Sequence, residues 1–531
     1  MRRDLAGRGL GRDLGLLRTA CRLAVVLSVA VWIRVSCAEE AVSAVAAHRK
    51  ATREAQAEKR ATEAEKLNGP ILVDWPRPQA AILFTGELNG YLEPCGCAGL
   101  ENQLGGLKRR HTLIKQLQKR KWPLVALDLG GQVRRFGPQA NIKFRYALES
   151  LLQLGYAGIG LGAHDLQLDT DAVLYVLANI DPENNPLVSA NVALFGFDSG
   201  LWSRYRVIEA GGLRIGVTSV LGTKYRAEMA KISDVSWLEP AKALAEVAPR
   251  MARERCDWQV LMVHGDPKEA AKLGRRYTQF QLVATTGGAE EPPRRAQVIE
   301  GTETRLIEVG HKGMYGIVIG LYSKPAKNMR YQRVPLDIRF ADSPEMQAKL
   351  IAYQNELETL GLKGLGLTGV NNPRGQFVGS AVCADCHSEA TAVFEKTPHS
   401  HATKTLLDLD PPRHHDPECL SCHVTGWDPQ RFFPYKSGYF GLQATPQLRG
   451  NGCENCHGPG AAHAVAESGE EDVAPEQQTQ LREAMRLPLR VPEGEKLGAA
   501  EKKCLECHDL DNSPEFTFQK YWPQVEHHGK D

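Results

Sequence analysis

Net charge, long apolar runs and unassigned cysteines are all scarce in this 531-residue chain. Lys+Arg number 65 and Asp+Glu 63, a formal net charge of +2, so composition gives no argument for a nucleic-acid partner. The longest apolar run near the start, Leu23 to Ile33, is far shorter than the roughly 20 residues that span a bilayer. No later stretch is long and apolar enough, so no transmembrane helix is expected there. Residues 39–68 are rich in Ala, Glu, Lys and Arg and hold no aromatic residue, which excludes a core element and fits a solvated helix or tether. Of 13 cysteines, eight sit in four short repeats and Cys21 and Cys37 lie near the start. That leaves only Cys95, Cys97 and Cys256.

The repeats are Cys383-Ala-Asp-Cys386-His387, Cys419-Leu-Ser-Cys422-His423, Cys453-Glu-Asn-Cys456-His457 and Cys504-Leu-Glu-Cys507-His508. Roughly 0.01 such pentads would arise by chance at these Cys and His frequencies, so four carry a strong signal. Each reads as a c-type haem attachment site, with two thiols for the vinyl groups and the adjacent His as proximal iron ligand. Zinc-binding pairs and disulfides are the competing readings. Zinc knuckles do not require a His directly after each Cys-x-x-Cys.

The start of the chain reads as an export signal over residues 1–38. It has a basic stretch (Arg2, Arg3, Arg8, Arg12, Arg18, Arg22), the apolar run, and Ser36-Cys37-Ala38 as a cleavage region. An uncleaved anchor is the alternative, and only then is membrane contact expected. Export to a bacterial periplasm agrees with haem attachment outside the cytoplasm.

From residue 70 to 342, strands and helices alternate. Strands are predicted at 80–85, 123–129, 158–161, 187–190, 213–220, 258–263, 281–284, 305–309, 316–322 and 331–338, and helices at 104–121 and 142–154. The pattern indicates a layered α/β region. Its blocks resemble the metallophosphatase region of the 5′-nucleotidase family. They are Ile82-Leu-Phe-Thr-Gly-Glu-Leu-Asn-Gly90, Leu127-Asp-Leu-Gly-Gly131, Gly162-Ala-His-Asp165, Pro186 to Asn191, Ile215 to Val220, Leu261-Met-Val-His264 and Val309 to Leu321. The resemblance implies a four-layer α/β sandwich. The family's metal ligands are mostly missing. Its first Asp and His fall on Glu87 and Asn89, its bridging Asp on Gly131 and its Asn on Ala163. Its last His block falls on 285–288, which holds no His. Only His164 and His264 stand at ligand positions, and both also fit ordinary strand-end histidines. A second metal in this region therefore lacks a ligand set, and a retained scaffold with an altered site is expected.

Glu93-Pro94-Cys95-Gly96-Cys97 is foreign to the family pattern. A disulfide within the pair or to Cys256, a soft metal and a reactive thiol are all open readings. Glu87, Asn89, Cys95, Cys97, His164 and His264 are expected to converge. Residues 343–360 read as a helix starting at Ser343-Pro344, and the Gly-rich 361–375 as a linker.

The last region, 376–531, is similar to the tetrahaem cytochrome c-554-like family. Phe394-x-x-Thr397-x-His399, Cys453-Glu-Asn-Cys456-His457-Gly-Pro-Gly-Ala-Ala-His463 and the ending with Tyr521-Trp522 and His527 carry the likeness. It implies a mainly α/irregular fold around four covalently bound haem c groups and partnership with redox proteins. Seven spare histidines are available as second axial ligands: His399, His401, His414, His415, His463, His527 and His528. His399, His463 and His527 are favoured, with His415 or His414 fourth. Four paired irons would make an electron carrier. The rival is a redox enzyme acting on a small sulfur or nitrogen compound at an open iron or at Cys95/Cys97. A metal-dependent phosphoesterase is disfavoured by the missing ligands.

Overall fold

The computed structural model describes residues 55–94, 104–135, 137–322, 328–469, 471–510, 512–513 and 515–530. Residues 1–38, expected to be an export signal, and the Cys95/Cys97 pair lie outside these. The chain divides at Pro70 into two units. In the first, 55–68 is helical and mostly exposed. The second runs from Ile71 and holds both the α/β region and the pentads.

Thirteen strands build the α/β region: β1 (Ala80–Thr85), β2 (Leu124–Asp128), β3 (Tyr156–Ile159), β4 (Val192–Leu194), β5 (Arg206–Ala210), β6 (Leu213–Leu221), β7 (Val235–Trp237), β8 (Trp258–His264), β9 (Leu282–Thr285), β10 (Gln297–Val298), β11 (Arg305–Glu308), β12 (Tyr315–Tyr322) and β13 (Asn328–Pro335). One sheet has the order β13-β12-β1-β2-β3 and the other β10-β11-β9-β8-β6-β5. Successive strand residues point to opposite faces, and each sheet uses both. In β1, Ala80, Ile82 and Phe84 face the opposite sheet, where Ile215, Val217, Val260 and Met262 meet them. Ala81 and Leu83 face outward onto Leu113, Ile114, Phe144 and Tyr353 of three helices, Leu107–Lys119, Pro138–Gln153 and Pro344–Gly364. The far side of the second sheet packs Val220, Leu261 and Val263 against Leu244, Val247, Met251 and Leu273 of Pro240–Arg253 and Pro267–Arg276. Helix, sheet, sheet, helix is the four-layer sandwich that the sequence implied.

Two local expectations change. Residues 187–190 form only isolated bridges, Ile159 with Leu187 and Val188 with Ser203, and the strand begins at Val192. Asn185 explains this: its side chain accepts from Leu187 N at 2.9 Å and donates to Leu201 O at 2.7 Å, turning the chain off the sheet. The helix from Pro344 also runs past 360 to Gly364, with a kink at Gly361 (φ 57) that glycine accommodates. Ser343 caps its start by accepting from Met346 N at 3.3 Å. The Gly-rich stretch after it is packed: Val370 bridges Tyr435, and Leu362 and Leu367 lie on the core of the pentad region.

That core is small. Leu406, Leu420, Val424, Trp427, Tyr439 and Leu448 are its buried residues. Short helices surround it: Ser380–Ala384, Ser388–Phe394, Ala402–Leu407, Pro417–His423, Cys453–His457, Ala461–Ser468 and Ala499–Leu505.

Candidate functional site

Each pentad is a single helical turn. The His387 amide donates to Cys383 O at 2.9 Å and the His508 amide to Cys504 O at 2.9 Å. Residues i, i+3 and i+4 share a helix face, so this turn places both thiols and the imidazole on one side. The second pentad ends the helix Pro417–His423, and the third is the helix Cys453–His457. All eight thiols are free of disulfides. Those of Cys383 and Cys453 lie beside each other, as do those of Cys422 and Cys507.

Three proximal histidines each face a second imidazole from a different segment. His387 faces His463 with ring centroids 6.4 Å apart. His508 faces His399 at 6.0 Å, and His457 faces His527 at 5.8 Å. Two imidazole nitrogens at about 2 Å on opposite sides of one metal ion leave their ring centroids about 6 Å apart, so the spacings fit a shared iron. In four of the region's histidines the other ring nitrogen is already engaged. Nδ1 of His423 bonds Ala402 O at 2.8 Å, that of His457 bonds Met485 O at 2.6 Å, and that of His527 bonds Val525 O at 2.9 Å. His508 Nδ1 meets the Ser513 hydroxyl at 3.0 Å. Such bonds fix the tautomer and leave Nε2 for a metal. Burial holds His399, His423, His457, His463 and His508 below the ordinary histidine range, which keeps them neutral as ligands must be. Donor type, spacing and tautomer all fit haem iron.

His423 is different. Among the described residues it makes no ring contact with a second imidazole, although His399 and His508 lie close enough to feel its charge. The expected fourth partner, His415, instead stacks on His414 at 4.0 Å and lies 3.5 Å from Glu358. Asp416 caps the helix that follows, so His415 sits at the far end of that helix from His423. His401 lies beside the Ser400 hydroxyl and precedes Ala402, whose carbonyl meets the His423 ring.

Glu454, inside the third pentad, ties these segments together. Its buried carboxylate accepts from Val378 N (3.0 Å), Gly379 N (2.7 Å) and Gly460 N (2.8 Å). Gly379 precedes the first pentad's helix, and Gly460 precedes the helix of His463.

In the sandwich, strand-end loops gather Glu87, His264 and a histidine the motifs did not flag, His311. His311 Nδ1 forms an ion pair with Glu87 Oε2 at 2.9 Å. Buried His264 bonds Leu129 O through Nδ1 at 3.1 Å and packs on Tyr225 at 5.5 Å. Asp165, at the end of the Gly162 block, accepts from the amides of Gly131, Gln132, Val133 and Gly162. Burial pushes its carboxyl up to about 6 against those donors. Gly131 has φ 80, and a Cβ there would sit 3.1 Å from His264 Cε1. The ring thus crowds the position of Gly131, which carries no side chain to offer a metal. No group of three or more metal-donor side chains occurs among the described residues. Cys256 is a free thiol that lies against Gly216.

Residues 382–458 match the family model for cytochrome c554 and c-prime. Over 97 residues the chain is 34% identical to cytochrome c-554 of Nitrosomonas europaea, 16% of this chain and 39% of that protein. The C-terminal region is cytochrome c-554-like. Further toward the N-terminus, 148 residues are 26% identical to the snake venom 5′-nucleotidase of Gloydius brevicauda, 26% of this chain and 25% of that one. A solved 5′-nucleotidase precursor from Thermus thermophilus superposes with a TM-score of 0.46 at 19% identity, covering 53% of this chain and 59% of that one. The sandwich is 5′-nucleotidase-like. The chain spans about two fifths of the length of the curated cytochrome and about a quarter of the nucleotidase.

Within the cytochrome c-554-like region, His399, His463 and His527 are brought to pentad histidines and His415 is not. Glu454 was legible as part of the Cys453 block, but its role needed the fold. His311 lies inside the Val309 to Leu321 block, but nothing in that block marked it as a site residue; it stands in the loop after β11.

Proposed function

We propose that this chain is an exported tetrahaem cytochrome c that transfers electrons between redox partner proteins. The facing of three pentad histidines by His463, His399 and His527 carries this reading. Bound haem c supplies one-electron iron chemistry. The chain's residues would do the rest: Cys383, Cys386, Cys419, Cys422, Cys453, Cys456, Cys504 and Cys507 would anchor the groups, His387, His423, His457 and His508 would ligate the iron, and the Ala402 and Met485 carbonyls and the Ser513 hydroxyl fix the tautomers of His423, His457 and His508. The 5′-nucleotidase-like sandwich serves as a docking or substrate module, because Gly131 brings no carboxylate to the position where the family has its bridging one. Absorption of the pyridine-treated protein and its intact mass test the haem count. Four haems are expected after export, with one lost for each pentad whose two cysteines become serine. A mass matching the bare polypeptide would sink the reading.

A second reading is favoured by His423, which makes no ring contact with a second imidazole. An open position there would admit a small nitrogen or sulfur compound and make the protein a redox enzyme. Binding of cyanide or nitrite to one haem of the oxidised protein supports it, and no binding to any haem excludes it.

A further inference from the structure

The second pentad is the one whose helix is gripped by the sandwich. Asp416, which caps Pro417–His423 by accepting from Glu418 N at 3.0 Å, also accepts from Gln139 Nε2 at 2.6 Å, Gln354 Nε2 at 3.0 Å and the Tyr353 hydroxyl at 3.4 Å. Two residues further, beside Cys419, Glu418 Oε2 meets Lys143 Nζ at 2.6 Å and Arg135 Nη1 at 2.8 Å. The Arg135 guanidinium also lies 3.5 Å over the Phe432 ring. Lys143 is buried and Glu418 half-buried, whereas the Arg135 side chain keeps 36% of its exposure. Two cations from the sandwich thus balance two carboxylates at the start of the second pentad's helix.

Reduction adds an electron to a haem. A cation nearby stabilises the reduced form and an anion the oxidised form, and the effect strengthens where water is excluded. A balanced cluster next to Cys419 therefore holds that haem's potential at a value the sandwich side chains determine. We propose that Arg135, Lys143 and Glu418 are positioning and charge-setting residues for the haem of the second pentad, making the sandwich part of that redox centre. This rests on the haem reading above. It gives the sandwich a role that needs no metal of its own and couples it to the one proximal histidine that makes no ring contact with a second imidazole.

The test is a spectroelectrochemical titration of the full-length haem-loaded protein and three variants. Arg135→Gln and Lys143→Gln should each move one redox transition to lower potential, and Glu418→Gln should move the same one upward, with the others unchanged. Lys115→Gln, which breaks an exposed ion pair with Glu345 on the sandwich surface, should move none. If the buried Lys143 variant does not fold, the half-exposed Arg135 variant against Glu418→Gln still decides. Unmoved transitions, or shifts of the same sign in Arg135→Gln and Glu418→Gln, overturn the proposal. Haem content is measured first on the same samples. Missing haem sinks the underlying reading, while full haem with unmoved potentials sinks this proposal alone.

Discussion

Glu454 lies between the cysteines of the third pentad, yet its carboxylate serves two other segments. It holds the amides before the first pentad's helix and the amide before the helix of His463. Those are the two helices that bring His387 and His463 face to face. Removing the acceptor strands three buried N–H groups, each costing about 1–3 kcal/mol. Glu454→Ala is therefore expected to keep all covalent haem but to lose several kcal/mol of stability, and to convert one low-spin haem to high-spin. Unfolding curves and electron paramagnetic resonance check the two parts. The Glu87–His311 pair gives a pH-dependent case. The bond to Glu87 raises His311, so its contribution is present below about pH 6.5 and lost as pH rises through the raised value. Burial pushes Glu87 up, but His311, His264 and Lys224 bring it lower overall, so its contribution is present above about pH 4.5 and lost as pH falls through the lowered value. His311→Ala should cost about 1 kcal/mol near pH 5.5 and much less near pH 9, read from thermal unfolding at both.

The elements differ in how much apolar surface the polypeptide itself supplies. Sandwich strands such as β1, β8 and β12 are buried along nearly their whole length. Long β-branched and leucine-rich runs announce such strands, which is why β1 was read at its observed bounds and β8 within one residue. The helices Pro240–Arg253 and Pro267–Arg276 were missed, because proline and closely spaced charges mask their apolar stripe, although Glu239 and Asp266 cap them. The pentad region has a core of six buried residues and otherwise short helices. On the proposed reading, bound haem would supply the buried apolar surface that this core lacks. Protein made without haem attachment should thus keep a folded sandwich while the stretch after about residue 376 is cut rapidly by protease. Limited proteolysis with mass mapping checks this, and equal resistance of both regions would contradict it.

At the scale of the whole molecule, sequence separates the regions that the fold joins. The pentads were legible because one turn needs nothing beyond local spacing. The partners of the histidines were not, since His463 follows the third pentad but faces the first, and His527 follows the fourth but faces the third. The joint was equally hidden: Glu93 with Arg413, Lys143 with Glu418 and Gln139 with Asp416 pair residues far apart in the chain. These contacts set His415 aside from the irons by making Asp416 a cap and a sandwich anchor. The central claim is that His463, His399 and His527 share irons with the pentad histidines His387, His508 and His457. Electron paramagnetic resonance of the fully oxidised, haem-loaded protein tests it most directly. At least three low-spin irons are predicted, and fewer than three would contradict the account.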